Sequence, residues 1–128
     1  MEDVEKVCKE VLSTAEWVAI VTHDEDGPHL AGTWGDYVRS LGVEDVDTVI
    51  IPAGSYNKTE ENLNKNGLIQ LLLASRQVKG SHGPGQGCLL SGEGEIQTDG
   101  NYARTAKDLF PWARGALVVH IRERRTQL

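Results

Sequence analysis

The sequence predicts a mainly β domain: about six mainly antiparallel strands in a barrel or curled sheet, with helices packed outside. Three observations predict it. Short apolar runs rich in β-branched residues dominate the middle of the chain, several of them are joined by hairpin-like turns, and the helices are too few to follow every strand. A doubly wound parallel sheet needs a helix after nearly every strand, which this chain does not supply.

The elements follow in order. Residues 3–14 carry Val4, Val7, Cys8, Val11 and Leu12 at helical spacing, with charges on the opposite face and acidic residues early, where the helix dipole favours them. Trp17 to Thr22 is a short strand. Asp24-Glu-Asp-Gly-Pro28 is turn chemistry, and His29 to Trp34 resumes an extended run, which makes a hairpin. Gly35 to Gly42 is irregular or a short helical turn. Asp47 to Pro52 is a buried strand.

Asn57 to Asn66 is a helix that Asn57 can cap, with Glu60 three residues later as in a capping box and Gly67 as its stop. Leu68 to Ala74 is a nearly all-apolar strand, and residues 76–87 read as a Gly-rich, mildly basic connection. Cys88 to Thr98 is a strand. Asp99 to Phe110 is a helix with Asp99 as its N-cap and Pro111 beyond its end. Ala116 to Ile121 is the last strand, and a polar tail runs to Leu128. That makes six strands and three helices.

A chain of 128 residues fits one domain, 1–128, with enough length to bury a core. Its apolar runs fall short of the roughly 20 residues that span a bilayer, and its charged start does not read as a signal peptide. Cys8 and Cys88 are far apart in sequence, among apolar neighbours, and read as reduced core thiols in a cytoplasmic setting. A net charge of −6 argues against nucleic acid, whose phosphates demand Lys and Arg, but leaves room for one bound phosphate.

The phosphate-loop pattern, the serine-hydrolase elbow and the dinucleotide fingerprint are absent; Gly83, Gly85 and Gly87 approach the last, but the third position fails. The four histidines are scattered without metal-ligand spacing.

Three stretches carry positive information. In Ile51-Pro-Ala-Gly-Ser-Tyr-Asn-Lys-Thr-Glu60 a strand turns closely into a helix whose first turn holds Lys58 and Thr59. Free N–H groups and the dipole at such a helix start attract anions; on this stretch alone an ordinary capped helix with a solvated lysine is the commoner reading. Ser75 and Arg76, in the run ending at Lys79, offer hydroxyl and guanidinium donors at a strand end, or simply a solvated edge. Thr33-Trp-Gly-Asp-Tyr37 presents an aromatic face and backbone N–H groups to a planar ligand, or packs as core.

Together these stretches resemble the FMN-binding split-barrel family, which includes pyridoxamine-phosphate oxidases and flavin reductases, and within it the small stand-alone members. The pieces are Glu25-Asp-Gly-Pro-His-Leu30, Thr33-Trp34, Lys58-Thr-Glu60, Ser75-Arg76, Gly83-Pro-Gly85 and Trp112-Ala-Arg-Gly-Ala-Leu117, in an order that covers Glu16 to Leu128. The resemblance implies a six-stranded antiparallel split barrel, a homodimer, and FMN near the subunit interface.

Carried over by position, Lys58, Thr59, Ser75 and Arg76 hold the phosphate. Thr33, Trp34, Gly35, Tyr37, Pro52, Ala53 and Gly54 lie along the ring and ribityl chain. Trp112 and Leu128 approach from the partner subunit, with core packing the alternative for Trp112. The pattern departs before the first strand: the family places a Glu near the flavin where this chain has Ala15, with Glu16 next, and Ser40 to Asp47 looks longer.

The function expected is electron transfer through bound FMN, with a redox partner protein or a small-molecule donor, no nucleic acid, no membrane and no catalytic side chain. An NAD(P)H-dependent flavin reductase or a pyridoxamine-phosphate-oxidase-like enzyme is the second reading. A third is another ligand in the same barrel, such as haem or a deazaflavin, with His29, His82 or His120 available as axial ligands.

Overall fold

A computed structural model describes residues 3–41 and 47–128. The element order is α1 (Val4–Thr14), β1 (Trp17–Asp24), β2 (Gly27–Trp34), α2 (Gly35–Leu41), β3 (Thr48–Ala53), α3 (Asn57–Asn66), β4 (Leu68–Gly80), β5 (Gly83–Gln97), α4 (Gly100–Leu109) and β6 (Gly115–Thr126). The strands form one antiparallel sheet in the order β2-β1-β4-β5-β6-β3, so β2 and β3 are left as its two edges. The predicted mainly β, six-stranded split barrel is the fold observed. No helix among the described residues is long and apolar enough to cross a membrane.

The concave side holds the core. Val18 and Ile20 of β1, Ile69, Leu71 and Leu73 of β4, and Leu117, Val119 and Ile121 of β6 pack there against Cys8, Val11 and Leu12 of α1. β3 is buried along its whole length. Cys8 and Cys88 are both free and buried in this cluster, as expected of core thiols.

Local chemistry explains the joints. Asp3 caps α1 through Lys6 N–H at 3.3 Å, and the carbonyls of Leu12 and Ala15 at its far end accept from Arg39 Nη1 at 3.0 and 2.7 Å. The β1–β2 hairpin closes on Glu25 and Asp26, with Asp24 paired to Gly27, whose φ of +120° suits only glycine. Gly67 ends α3 at a φ of +74°, as the sequence predicts.

The structure corrects the reading in five places. Residues 35–41 form a true helix, so the helices number four among the described residues. Residues 76–87 are not a connection: β4 and β5 run on through them to a tight turn at Ser81 and His82. The polar tail after Ile121 continues as strand to Thr126, paired with Cys88–Ser91 of β5. β1 extends to Asp24. Tyr56, not Asn57, occupies the N-cap of α3, whereas Asp99 is the N-cap of α4 as expected, though without a side-chain bond. Gly42 and most of the Ser40–Asp47 stretch lie outside the described residues.

Candidate functional site

The end of β2, the start of α2, the end of β3 and the chain entering α3 meet at a cleft lined by Trp17, Thr33, Trp34, Tyr37, Pro52, Gly54, Tyr56 and Trp112. Its walls are aromatic. Trp17 and Trp34 meet edge to face at 4.9 Å, and Tyr37, Phe110 and Trp112 form a second cluster with centroids 4.8 to 5.8 Å apart. Trp34 and Trp112 remain 47% and 53% exposed, so neither is core, and such exposed apolar area marks a surface built to be covered. Gly32 leaves room for the Trp17 ring, and Gly54 for Trp112.

Ala53 and Gly35 are buried behind this surface. Ala53 accepts Arg114 N–H at 2.8 Å, and Gly35 donates to Glu16 O at 2.8 Å. Both shape the cleft through the backbone. Glu16 also lines a neighbouring hollow with Trp34, Asp36 and Tyr37, so a carboxylate does stand beside the cleft although Ala15 occupies the position before it.

The strand-to-helix joint is held by two side chains the sequence reading passed over. Tyr56 adopts the left-handed conformation (φ 45°, ψ 38°), unusual for a residue with a side chain. Its Oη donates to Gly32 O at 2.8 Å, and burial pushes its phenol up from the ordinary value. Arg114 donates from Nε to Gly54 O at 2.8 Å, and from Nη2 to Ser55 O at 2.7 Å and Glu60 Oε1 at 3.1 Å. The only signal for Arg114 in the sequence is its place within the Trp112–Leu117 run.

Beyond the joint, α3 makes its first turn with Glu60 N–H bonded to Tyr56 O at 2.9 Å, leaving the N–H groups of Asn57, Lys58 and Thr59 ahead of the helical ladder. Thr59 is fully buried, and its hydroxyl has no hydrogen-bond partner. Lys58 Nζ lies 2.7 Å from Asp24 Oδ2.

Ser75 and Arg76 are not brought to the Lys58 ammonium within one chain. Leu73 pairs with Val18 near the start of β1, whereas Lys58 meets Asp24 at its other end. From Val18 to Asp24, at about 3.3 Å per residue, the Lys58 ammonium stands roughly 20 Å from the end of β4 that carries Ser75 and Arg76. Ser75 Oγ is taken up by Thr14 Oγ1 at 2.7 Å and Gln77 N–H at 3.2 Å, while Arg76 is exposed.

Trp112 lines the cleft of its own chain, where the resemblance implies an approach from a partner. Leu128 is not among the cleft residues. Its backbone is clasped by the buried Gln86, which donates Nε2–H to Leu128 O at 2.7 Å and accepts Leu128 N–H at 2.8 Å, and its side chain is exposed.

A planar, phosphorylated ligand fits this arrangement. The cleft offers an aromatic slot lined as far as Ser55 and Tyr56, and the first turn of α3, which follows them in the chain, holds a buried hydroxyl without a partner.

No family model matches the chain. Solved structures share its fold at low identity. The Group A Streptococcus protein HupZ aligns at TM-score 0.71 and 21% identity over 98% of this chain and 94% of that one. An FMN-binding protein from Syntrophomonas wolfei aligns at 0.68 and 15%, over 98% and 86%. A pyridoxinephosphate oxidase family protein from Clostridium acetobutylicum aligns at 0.68 and 16%, over 98% and 90%. Among curated proteins, the FMN-binding protein of Nitratidesulfovibrio vulgaris (strain Miyazaki F) is 41% identical over 113 residues, 88% of each chain. With that identity along nearly its whole length, and with the split-barrel fold beneath it, the chain belongs to the family of that FMN-binding protein.

Proposed function

We propose that this protein binds FMN and passes electrons through it, as a homodimer. The observation that carries the reading is an aromatic slot that reaches Ser55 and Tyr56, next in the chain to a helix whose first turn holds the unpartnered Thr59 hydroxyl. The relative's FMN binding supports the choice of ligand. Bound there, FMN supplies the electron-accepting and electron-donating ring, and the protein supplies position, electrostatics and exclusion of water.

Trp34, Tyr37, Pro52, Gly54 and Trp112 face the ring, with Thr33, Gly35 and Ala53 shaping the backbone around it. Lys58 and Thr59 take the phosphate at the first turn of α3. The described residues lining the slot include hydroxyls but no His, Asp, Glu, Lys or Arg, and burial raises the Tyr56 phenol above its ordinary value. Such a lining suits electron transfer better than acid–base chemistry on a substrate.

A second copy is the expected cover for the outer face of β2, β1 and β4. Trp17, Leu30, Trp34 and Leu72 are exposed there, with Trp17 opposite Trp34 and Ala19 opposite Leu72 in the strand register. In that dimer the exposed Arg76 and Leu128 are the residues available to reach the partner's flavin, while Ser75 is buried against Thr14. The buried free thiols suit a cytoplasmic, reducing setting. The donor is a redox partner protein or a small molecule; nucleic acid and membrane are not expected partners at a net charge of −6.

Stopped-flow reduction tests the electron-transfer assignment. The reconstituted protein should exchange electrons rapidly with a small redox mediator and slowly with NADH or NADPH. Fast, saturable NAD(P)H oxidation would instead make it a flavin reductase.

A further inference from the structure

We propose that Asp24 competes with the flavin phosphate for Lys58, and so limits how strongly the site prefers a phosphorylated flavin. This rests on the FMN reading above and concerns a residue outside the slot.

Asp24 is held in place by the hairpin it ends. Its Oδ1 accepts Asp26 N–H at 2.9 Å, fixing the turn, and its Oδ2 accepts from Lys58 Nζ at 2.7 Å. The carboxylate is 4% exposed and the lysine side chain 41%. Only the first of these bonds is needed for the turn, and an uncharged acceptor would make it as well. The charge is therefore an addition to the turn chemistry, directed at Lys58.

The position of the ammonium shows the conflict. Lys58 Nζ lies 3.7 Å from Glu61, one turn further along α3, and Lys65 Nζ lies 3.8 Å from the same Glu61 and 3.9 Å from Asp24 Oδ2. Lys65 also lies 3.7 Å from Glu25. Lys58 thus extends toward the C-terminal end of α3, while the free N–H groups of Asn57, Lys58 and Thr59 open at the other end. A phosphate at that first turn gains Lys58 only when the side chain leaves Asp24. Lys65 remains beside the carboxylate, so the exchange does not strand a bare charge.

The test is a titration of apo-protein with FMN and with riboflavin at low ionic strength, where charge pairs are least screened. The proteins are the parent, Asp24→Asn, Lys58→Gln and the double variant. Asp24→Ser, which keeps a turn acceptor, serves as a second neutral replacement should Asp24→Asn fold poorly. Asp24→Asn should tighten FMN by up to about fivefold, the scale of a partly exposed ion pair, and leave riboflavin unchanged. In the Lys58→Gln background the gain should vanish.

An unchanged or weakened FMN affinity in both neutral variants overturns the proposal, as does an equal gain with Lys58 already removed. A parent protein that binds neither flavin fails the FMN reading itself, which a parent that binds FMN but ignores Asp24 does not.

Discussion

A Cβ built on Gly54 would stand 3.2 Å from Cε3 of Trp112, so this indole packs directly against bare backbone at the end of β3. The pair defines the width of the slot. Gly54 does not have a positive φ, so a side chain there is limited by Trp112 and by the ligand rather than by the backbone.

Gly54→Leu should therefore fill the slot without unfolding the protein. Trp112 is 53% exposed, so its ring has solvent on one side into which to shift. FMN affinity should fall about tenfold or more, equivalent to about 1.4 kcal/mol or more, with stability changed by less than about 0.5 kcal/mol, as at other surface positions. Flavin fluorescence titration and urea unfolding measure the two quantities.

Thr59 separates binding from stability in the opposite sense. Its hydroxyl is buried without a partner, and Val has nearly the same shape without the unsatisfied group. Thr59→Val should leave the apo-protein as stable or more stable, by up to about 1 kcal/mol. It should weaken FMN and spare riboflavin. A destabilised variant with unchanged FMN affinity would assign the hydroxyl to the fold alone.

Tyr56 links the joint to pH. Burial, partly offset by a hydrogen bond with Thr33, raises its phenol above the ordinary value of 10.0. Folding then favours the protonated form. Its contribution is complete below about pH 10 and is lost as pH climbs through the folded value. Tyr56→Phe should cost about 1 kcal/mol near neutrality through the lost bond to Gly32 O. It should also lose less stability than the parent on going from about pH 8 to about pH 11, a range that brackets the phenol. Urea unfolding across that range reads both effects.

Arg114 holds three acceptors at once, on Gly54, Ser55 and Glu60. Lysine keeps the charge but cannot span them. Arg114→Lys should lower stability by about 1 to 2 kcal/mol, the scale of charge-assisted hydrogen bonds, and loosen FMN through the shifted joint. Urea unfolding and FMN titration check it together.

The parts of this architecture that were legible in the sequence are those written locally. The apolar runs of β1, β3 and β4 announce themselves, as do the Asp24–Gly27 turn and the Gly67 stop. Gly80 to Gly87 does not, because glycine and proline are poor strand formers; cross-strand pairing makes these residues a hairpin. The tail of β6 hid for a similar reason. Arg122, Glu123 and Arg125 are exposed, so their polarity reads as coil until β5 is laid alongside.

The site shows the same division. Trp34, Pro52 and Gly54 sit at strand ends that the sequence marks, and they do converge. The bonds of Lys58 to Asp24 and of Arg114 to Gly54 join residues 34 and 60 positions apart. No local pattern encodes such a partner. The distance between the Lys58 ammonium and Arg76 likewise emerges only from the register of β4 on β1.

The most direct test is the absorbance spectrum of the purified protein, followed by release and identification of the chromophore. The purified protein should be yellow, with flavin bands at about 370 and about 450 nm, and should release FMN at about one per chain. Colourless protein that cannot be reconstituted with FMN would contradict the FMN reading.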